Sequence, residues 1–380
     1  MRILMLSAYP NVQGPLPKHT PLLVDGLRSL GCEVVVAPWG KHRDVETRSE
    51  RVVGRAGDIR RVRALASRLR PDVMVVKTAH DWPTLARDLP LVATTRRYCR
   101  SVVLQFHGSD PGRLHRPDGV WFKRATAALL RSVDGAMVLS TEEQREWLAF
   151  STAAPFFVVE NAFRPAAPAV DAGSSLRGGA EFRLLFVGRL LRQKDVYTLV
   201  EAMPAVLRRT PCRLEFVGDG PERQGLAERA AALGVQDAVT FSGYLTGGAL
   251  RAAYDNADTF VLTSAFEGFP TVISEAMDSG LPVITTPFRG MVDHLRDGVN
   301  TLFVPPGDPA ALAKAVARLA ADPDLRGRMA AANRAKVKDF APENVARRYL
   351  DVLQRVVTRR ARQRVAVTAV APRGHYGEAD

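Results

Sequence analysis

Phe182-Arg183-Leu184-Leu185-Phe186-Val187, continued by Gly188-Arg189-Leu190-Leu191-Arg192-Gln193-Lys194, is the most informative run of the chain. The first six residues are mostly apolar and suit a buried strand, which puts Arg189 and Lys194 just past its carboxyl end. A second apolar run, Thr259 to Leu262, leads into Glu267-Gly268-Phe269-Pro270-Thr271-Val272-Ile273-Ser274-Glu275, which turns and opens a helix. Two cations and two carboxylates are thereby delivered to one edge of a parallel sheet. In open α/β sheets that edge is where ligands bind. An anion with a polyol attached suits such a set.

On both sides of these runs, short apolar segments alternate with helical spacing almost throughout, which argues for parallel sheets covered by helices on both faces. Strands are expected at Ile3–Leu6, Glu33–Ala37, Val73–Val76, Val102–Phe106, Ala136–Leu139 and Phe156–Val159, with helices around Leu22–Leu30, Val62–Leu69 and Phe122–Arg131. Residues 166–180, rich in Pro, Ala, Gly and Ser, read as a linker. A second series follows at Phe182–Val187, Arg213–Val217, Ala238–Phe241, Thr259–Leu262, Pro282–Thr285 and Thr301–Val304, then helices to about Val365. The expectation is two doubly wound, Rossmann-like α/β domains facing across a cleft, 1–165 and 181–342. A helix at 343–365 and a flexible tail at 366–380 complete the division. A chain of 380 residues suits two such cores.

The net charge is +13, and residues 1–165 carry 25 Lys/Arg against 16 Asp/Glu. Arginines crowd at Arg43, Arg48, Arg51, Arg55, Arg60, Arg61, Arg63, Arg68 and Arg70. Such a band is either a solvated face or a surface drawn to anionic lipid headgroups or an acidic acceptor. Nucleic acid is not expected, because no binding motif accompanies the charge. Cys32, Cys99 and Cys212 are far apart and show no paired spacing, so a cytoplasmic setting without disulfides is expected. No run approaches the roughly 20 apolar residues that span a bilayer.

The motifs carry the chemistry. Gly188 lets backbone approach a ligand closely, while Arg189 offers a forked donor and Lys194 a point charge to phosphate; Arg192 reads as an ordinary solvated cation. Pro270 can occupy the first helical turn. The N–H groups of Thr271, Val272 and Ile273 then point out of the helix start towards an anion. Glu275 lies one turn in, within reach of hydroxyls beside that anion, or is simply a surface glutamate. No G-x-x-x-x-G-K-[ST] occurs, and no G-x-G-x-x-G follows the first strand. Asp322-Pro323-Asp324 reads as a helix cap rather than a metal site, and no metal site is expected.

Taken in order, Gly188-Arg189-Leu190 with Lys194-Asp195, Val217-Gly218-Asp219-Gly220-Pro221, Glu267-Gly268-Phe269-Pro270 with Glu275, Gly280-Leu281-Pro282-Val283-Ile284, and Asp297-Gly298-Val299-Asn300 through Pro306-Gly307-Asp308 resemble glycosyltransferase family 4. These are retaining enzymes of the two-domain GT-B fold. In the first half, Phe106-His107-Gly108-Ser109-Asp110 resembles the family's strand-end histidine motif and Asn161-Ala162-Phe163 its asparagine turn. The resemblance implies that Arg189 and Lys194 hold the diphosphate of a nucleoside-diphosphate sugar, with Gly14, Gly188, Gly268, Phe269, Pro270, Thr271 and Val272 lining the donor site. Glu275 would bond the ribose, Glu267 the transferred sugar, and His107 the same sugar from the other domain. It further implies that the last helix returns to the first domain.

Two departures stand out. The family's paired glycines in the first strand-to-helix loop are represented here by Gly14 alone, followed by Pro15-Leu16-Pro17-Lys18-His19. Arg289-Gly290-Met291-Val292-Asp293 replaces the usual Gly-Gly-x-Pro-Glu. The implied function is transfer of a hexose to a glycan, lipid-linked or small-molecule acceptor without a metal cofactor. The alternative is a catalytically inactive sugar-nucleotide-binding module of the same fold. Acceptor candidates are the loop residues Lys18, His80, Asp81, Trp82 and Asp110. UDP or GDP, the sugar and the acceptor are left open.

Overall fold

The computed structural model describes residues 1–12, 15–43, 46–107, 119–165, 181–264 and 268–370. The expected linker at 166–180 therefore lies outside the described residues, as do Gly14, Asp110 and Glu267. The chain divides into two compact units. One gathers Met1–Val138, Gln144–Val159 and Val345–Asp380; the other gathers Leu139–Glu143 and Glu160–Asn344.

The first unit is built on β1 (Arg2–Ser7), α1 (Pro15–Ser29), β2 (Glu33–Pro38), α2 (Arg48–Leu69), β3 (Val73–Thr78), α3 (Trp82–Thr95), β4 (Ser101–Phe106), α4 (Val120–Arg131), β5 (Gly135–Val138), α5 (Thr141–Phe150, whose first turn, Thr141 to Glu143, belongs to the other unit) and β6 (Phe156–Val158). All pairings are parallel, in the order β2-β1-β3-β4-β5-β6. Strands covered on both faces must be apolar on both faces, and all six residues of β3 and of β4 are buried. Trp147 of α5 fills the core against Phe106 and Phe156, with ring centroids 4.6 and 5.3 Å away. Strand order reverses between β1 and β3, so the switch point of this sheet lies at the ends of those two strands.

The second unit continues with β7 (Phe182–Val187), α6 (Val196–Leu207), β8 (Cys212–Val217), α7 (Arg223–Ala232), β9 (Val239–Gly243), α8 (Gly247–Asn256), β10 (Thr259–Leu262), α9 (Thr271–Asp278), β11 (Val283–Thr285), α10 (Gly290–His294), β12 (Thr301–Phe303), α11 (Pro309–Ala321) and α12 (Pro323–Lys336). The order β12-β11-β10-β7-β8-β9 is again all parallel, and it reverses between β7 and β10. The stretches after Val187 and after Leu262 thus flank one switch point. Asp322 caps α12 by accepting from the Leu325 N–H at 2.8 Å, with Pro323 opening the helix, as a capping reading of Asp322-Pro323-Asp324 requires.

The last helix, α13 (Pro342–Val370), runs past the expected end at residue 365, so the start of the expected flexible tail is helical. From Val345 onward it belongs to the first unit. There the Tyr349 hydroxyl donates to Gln105 Oε1 at 2.9 Å, and Val356 lies over Gly135, where a Cβ would come within 3.0 Å. The three cysteines are buried and separate, and burial pushes the Cys99 and Cys212 thiols up to about 12.

Candidate functional site

The loops after β7 and β8 of the second unit are laced backbone to backbone. Gly188 N–H donates to the Val217 carbonyl (2.9 Å), Leu190 N–H to Asp219 (3.0 Å) and Gly218 N–H to Gly243 (2.7 Å). Gly218 has φ +128°, and a Cβ there would run into the Gly188 carbonyl oxygen, so only glycine fits. Past this lacing, Arg192–Lys194 forms a short 3-10 turn ended by Asp195 in the left-handed region at φ 50°. Lys194 folds back over Gly188: its Nζ lies 3.5 Å from where a Gly188 Cβ would sit.

That loop is tied across the switch point. Thr263, just past β10, donates its hydroxyl to the Asp195 carbonyl at 3.1 Å. The Asp195 carboxylate accepts from the Thr198 hydroxyl (2.8 Å) and from the Gly307 N–H (3.1 Å), binding the Pro305–Asp308 turn to the same place. Lys194 is half-buried and Arg189 exposed. Arg192 is 81% exposed, pairs with Glu222 at 3.4 Å and lies over the Tyr197 ring, consistent with its reading as a solvated cation.

On the other side, Gly268-Phe269-Pro270 leads into α9. Pro270 is the N-cap rather than a residue of the first turn, and its carbonyl already accepts the Ile273 N–H at 3.0 Å. The anion-facing set expected at this helix start therefore loses Ile273. Phe269 is buried between Phe340 and His294, with centroids 4.9 and 4.8 Å away. Glu275 Oε2 accepts the Tyr254 hydroxyl at 2.7 Å. Burial, then the charge of Glu275, pushes the Tyr254 phenol well above its ordinary value, so it stays a donor.

The loop that departs from the family pattern is held by a reciprocal latch. Arg289 is 2% exposed and carries φ 42°, ψ −125°, a strained conformation for a residue with a side chain. Its N–H donates to Glu142 Oε2 (2.9 Å), while Asp293 Oδ2 accepts the Thr141 N–H (2.7 Å). Gly290 N–H then donates to the Gly268 carbonyl at 3.1 Å, so the latch bears on the turn beside Glu267. Asp293→Ala should lower stability by about 1 kcal/mol, and Asp293→Asn, which keeps an acceptor oxygen, should lose less. Thermal melts of the two variants check this; no loss in Asp293→Ala would mean the bond contributes nothing.

The acceptor candidates of the first unit separate. Lys18 falls within α1 and Trp82 opens α3, so neither sits in a loop. Asp81 is the N-cap of α3, accepting from the Thr84 N–H at 2.8 Å. His80 is 4% exposed, packed against Phe122 and Trp147 (4.6 and 4.7 Å), with Nε2 3.2 Å from the Thr126 hydroxyl. Burial among rings makes it a core residue, not an open ligand contact. Trp82 remains 52% exposed. His107 closes β4, its N–H donating to the Thr78 carbonyl at 3.1 Å.

Sequence reasoning did not find Thr263, Tyr254 or Glu142, and it noted Asp293 only as a departure from the family pattern. Among the described residues no three His, Cys, Asp or Glu side chains gather as a metal site. No described helix is long and apolar enough to cross a membrane.

Residues 18–166 match the sequence model of Glycosyltransferase Family 4, and residues 172–336 that of Glycosyl transferases group 1. An uncharacterized glycosyltransferase of Methanocaldococcus jannaschii is 37% identical over 142 residues, 37% of this chain and only 36% of that protein. Glycogen synthase of Mycobacterium tuberculosis is 29% identical across 91% of this chain and 92% of its own. Among solved structures, HepE of Anabaena in complex with UDP-glucose has a TM-score of 0.72 at 18% identity, covering 93% of this chain and 99% of that one.

Proposed function

The chain belongs to glycosyltransferase family 4 and has the GT-B fold, and from that premise we propose that it transfers a hexose from a nucleoside-diphosphate sugar to an acceptor hydroxyl, with retention of anomeric configuration and without a metal ion. The observation that carries this reading is Lys194, folded over Gly188 and tied through Thr263 to the end of β10 at the switch point.

Breaking the C1–O bond of the donor builds an oxocarbenium-like sugar and a diphosphate. Preorganised cations that meet this growing charge are worth more in the transition state than in the ground state. Arg189, Lys194 and the Thr271–Val272 end of α9 are the groups of this unit suited to that role, in place of a divalent ion. Glu275, oriented by Tyr254, is suited to the ribose hydroxyls; for Glu267 and His107 the family resemblance alone suggests contact with the transferred sugar. In a retaining transfer the acceptor oxygen bonds C1 on the face the diphosphate leaves. Its proton passes to the departing phosphate oxygen, so no external base is needed. The UDP-glucose complex of HepE makes UDP-glucose the first donor to try.

The test is a panel of UDP- and GDP-sugars, with chelator present, scored for release of nucleoside diphosphate and by NMR for the configuration of the new bond. Turnover that requires an added divalent ion, or an inverted product, contradicts the reading. Binding without turnover would indicate a sugar-nucleotide-binding module.

The proposed setting is the cytoplasm, with peripheral contact at an anionic membrane surface. On α2, Arg60, Arg63 and Arg68 are exposed along with Val52 and Val53, both 71%, and so is Arg70 at its C-cap. Cosedimentation with vesicles containing phosphatidylserine is expected at low salt and to be lost at several hundred millimolar salt, where the Debye length shrinks below about 5 Å. Equal binding to neutral vesicles would refute an electrostatic contact.

A further inference from the structure

The acceptor side of the reaction has its own built group in the first unit; its assignment rests on the transferase reading. The chain after β1, the chain after β2 and helix α2 bring together Tyr9, His42, Asp58 and Arg61. The Asp58 side chain is fully buried and serves three partners. Its Oδ1 accepts from the Tyr9 hydroxyl (2.7 Å) and from Arg61 Nη2 (2.6 Å), and its Oδ2 lies 3.1 Å from His42 Nε2. Arg61 also donates to the Tyr9 oxygen at 2.9 Å.

A carboxylate paired with arginine only accepts, so Nε2 carries a proton, and in the neutral imidazole the lone pair then lies on Nδ1. Among the described residues Nδ1 has no hydrogen-bond partner. The ring is also fixed in place. The Tyr9 ring centroid lies 4.5 Å away, and a Cβ added at Gly54 of α2 would come within 3.1 Å of His42 Cε1. Its backbone is held by the Glu46 carboxylate, which takes the His42 N–H at 2.6 Å, and by Asn11, which donates to the His42 carbonyl at 2.9 Å. The side chain is nonetheless 39% exposed.

An exposed ion pair contributes little to stability, and it does not call for a buried carboxylate, a fixed tautomer and a glycine beneath the ring. Together these supply one oriented hydrogen-bond acceptor at the ligand-binding edge of the first sheet. The mouth of an α/β sheet presents such a group to a polar ligand.

We propose that His42 is an acceptor-binding residue whose Nδ1 takes a hydrogen bond from a hydroxyl of a polyhydroxylated acceptor, with Asp58 as its positioning residue. The hydroxyl it binds is not the attacking one. His42 therefore acts on acceptor affinity and register and leaves the donor step alone.

The experiment compares wild type, His42→Ala, His42→Gln and Gly54→Ala. Release of nucleoside diphosphate is followed without acceptor and then with methyl glucosides, methyl mannosides and myo-inositol as acceptor probes. The expected result is a tenfold or greater rise in acceptor KM for His42→Ala, with acceptor-independent hydrolysis and donor KM within twofold of wild type. Gly54→Ala should raise acceptor KM in the same direction by moving the ring, without lowering the melting temperature, because alanine favours the helix. An unchanged acceptor KM in His42→Ala, an equal fall in hydrolysis, or no probe raising wild-type turnover above hydrolysis would overturn the assignment of His42 alone. A wild type that cleaves no donor would instead overturn the transferase reading beneath it.

Discussion

Alanine at Lys194 is expected to lower turnover by about 100- to 1,000-fold, the usual cost of removing one preorganised donor aimed at developing charge. The thermal midpoint should stay within a few degrees, because the Lys194 loop is held by its backbone. Thr263 donates to the Lys194 and Asp195 carbonyls and Gly307 N–H bonds the Asp195 carboxylate, none of which needs the ammonium. Arg189 is exposed, so solvent screens more of its charge, and Arg189→Ala should cost about tenfold. A partial rescue by Lys194→Arg would fit a charge requirement, although the forked donor will not reproduce a point charge. Single-turnover measurements on both variants decide the matter. Full activity in Lys194→Ala would remove the phosphate assignment, and a collapse of the melting temperature would mark the residue as structural.

The second large effect concerns stability and lies in the first unit. Lys77 of β3 is buried beneath α1, where its ammonium donates to the Thr20 hydroxyl at 3.0 Å and Thr20 in turn meets Ser7 at 2.7 Å. Burial without a carboxylate beside it lowers the Lys77 ammonium to about 7. Its ordinary value of about 10.4 holds in the unfolded chain. Below pH 7 both states carry the proton and the folded state bears the full cost of a buried charge. Between about 7 and 10.4 the unfolded chain binds more protons than the folded one, so stability rises with pH. At 1.36 kcal/mol per unit the rise amounts to about 5 kcal/mol. Lys77→Met should remove it, making the variant the more stable protein at pH 6 and narrowing the gap towards pH 9. Urea melts of both proteins at pH 6, 7.5 and 9 isolate the contribution from that of other titrating groups. Parallel curves would mean that Lys77 reaches water or an anion when folded.

Much of the fold was legible because parallel strands covered on both faces are unbroken apolar runs. The twelve expected runs coincide with strands in the described structure, with shifts of a residue or two at their ends. Helices are less legible. The first half of α2 holds Gly54 and Gly57 and only Val52 and Val53 as large apolar residues, too few to show an apolar stripe, yet Thr47 and Glu50 form a capping box, a signal present in the sequence at Thr47-x-x-Glu50. Asp81-Trp82-Pro83 likewise has the form of a cap followed by proline at a helix start, which a loop reading of Trp82 passes over. The placement of Arg189 and Lys194 past β7 was legible because both follow that strand at short range. The latch was not: Glu142 and Arg289 are 147 residues apart, and Thr141 and Asp293 are 152 apart. The pairing of His42 with Asp58 was hidden for a related reason, since only the packing of α2 beside the chain after β2 brings them together.

Whether a diphosphate settles on Lys194 without a metal can be read by calorimetric titration of UDP and GDP into the wild type and Lys194→Ala, in buffer containing chelator. One of the two nucleotides is expected to bind the wild type in the absence of a divalent ion, and Lys194→Ala should weaken that binding at least tenfold. Equal affinity in the two proteins, or wild-type binding that appears only when Mg²⁺ is restored, would refute the electrostatic assignment.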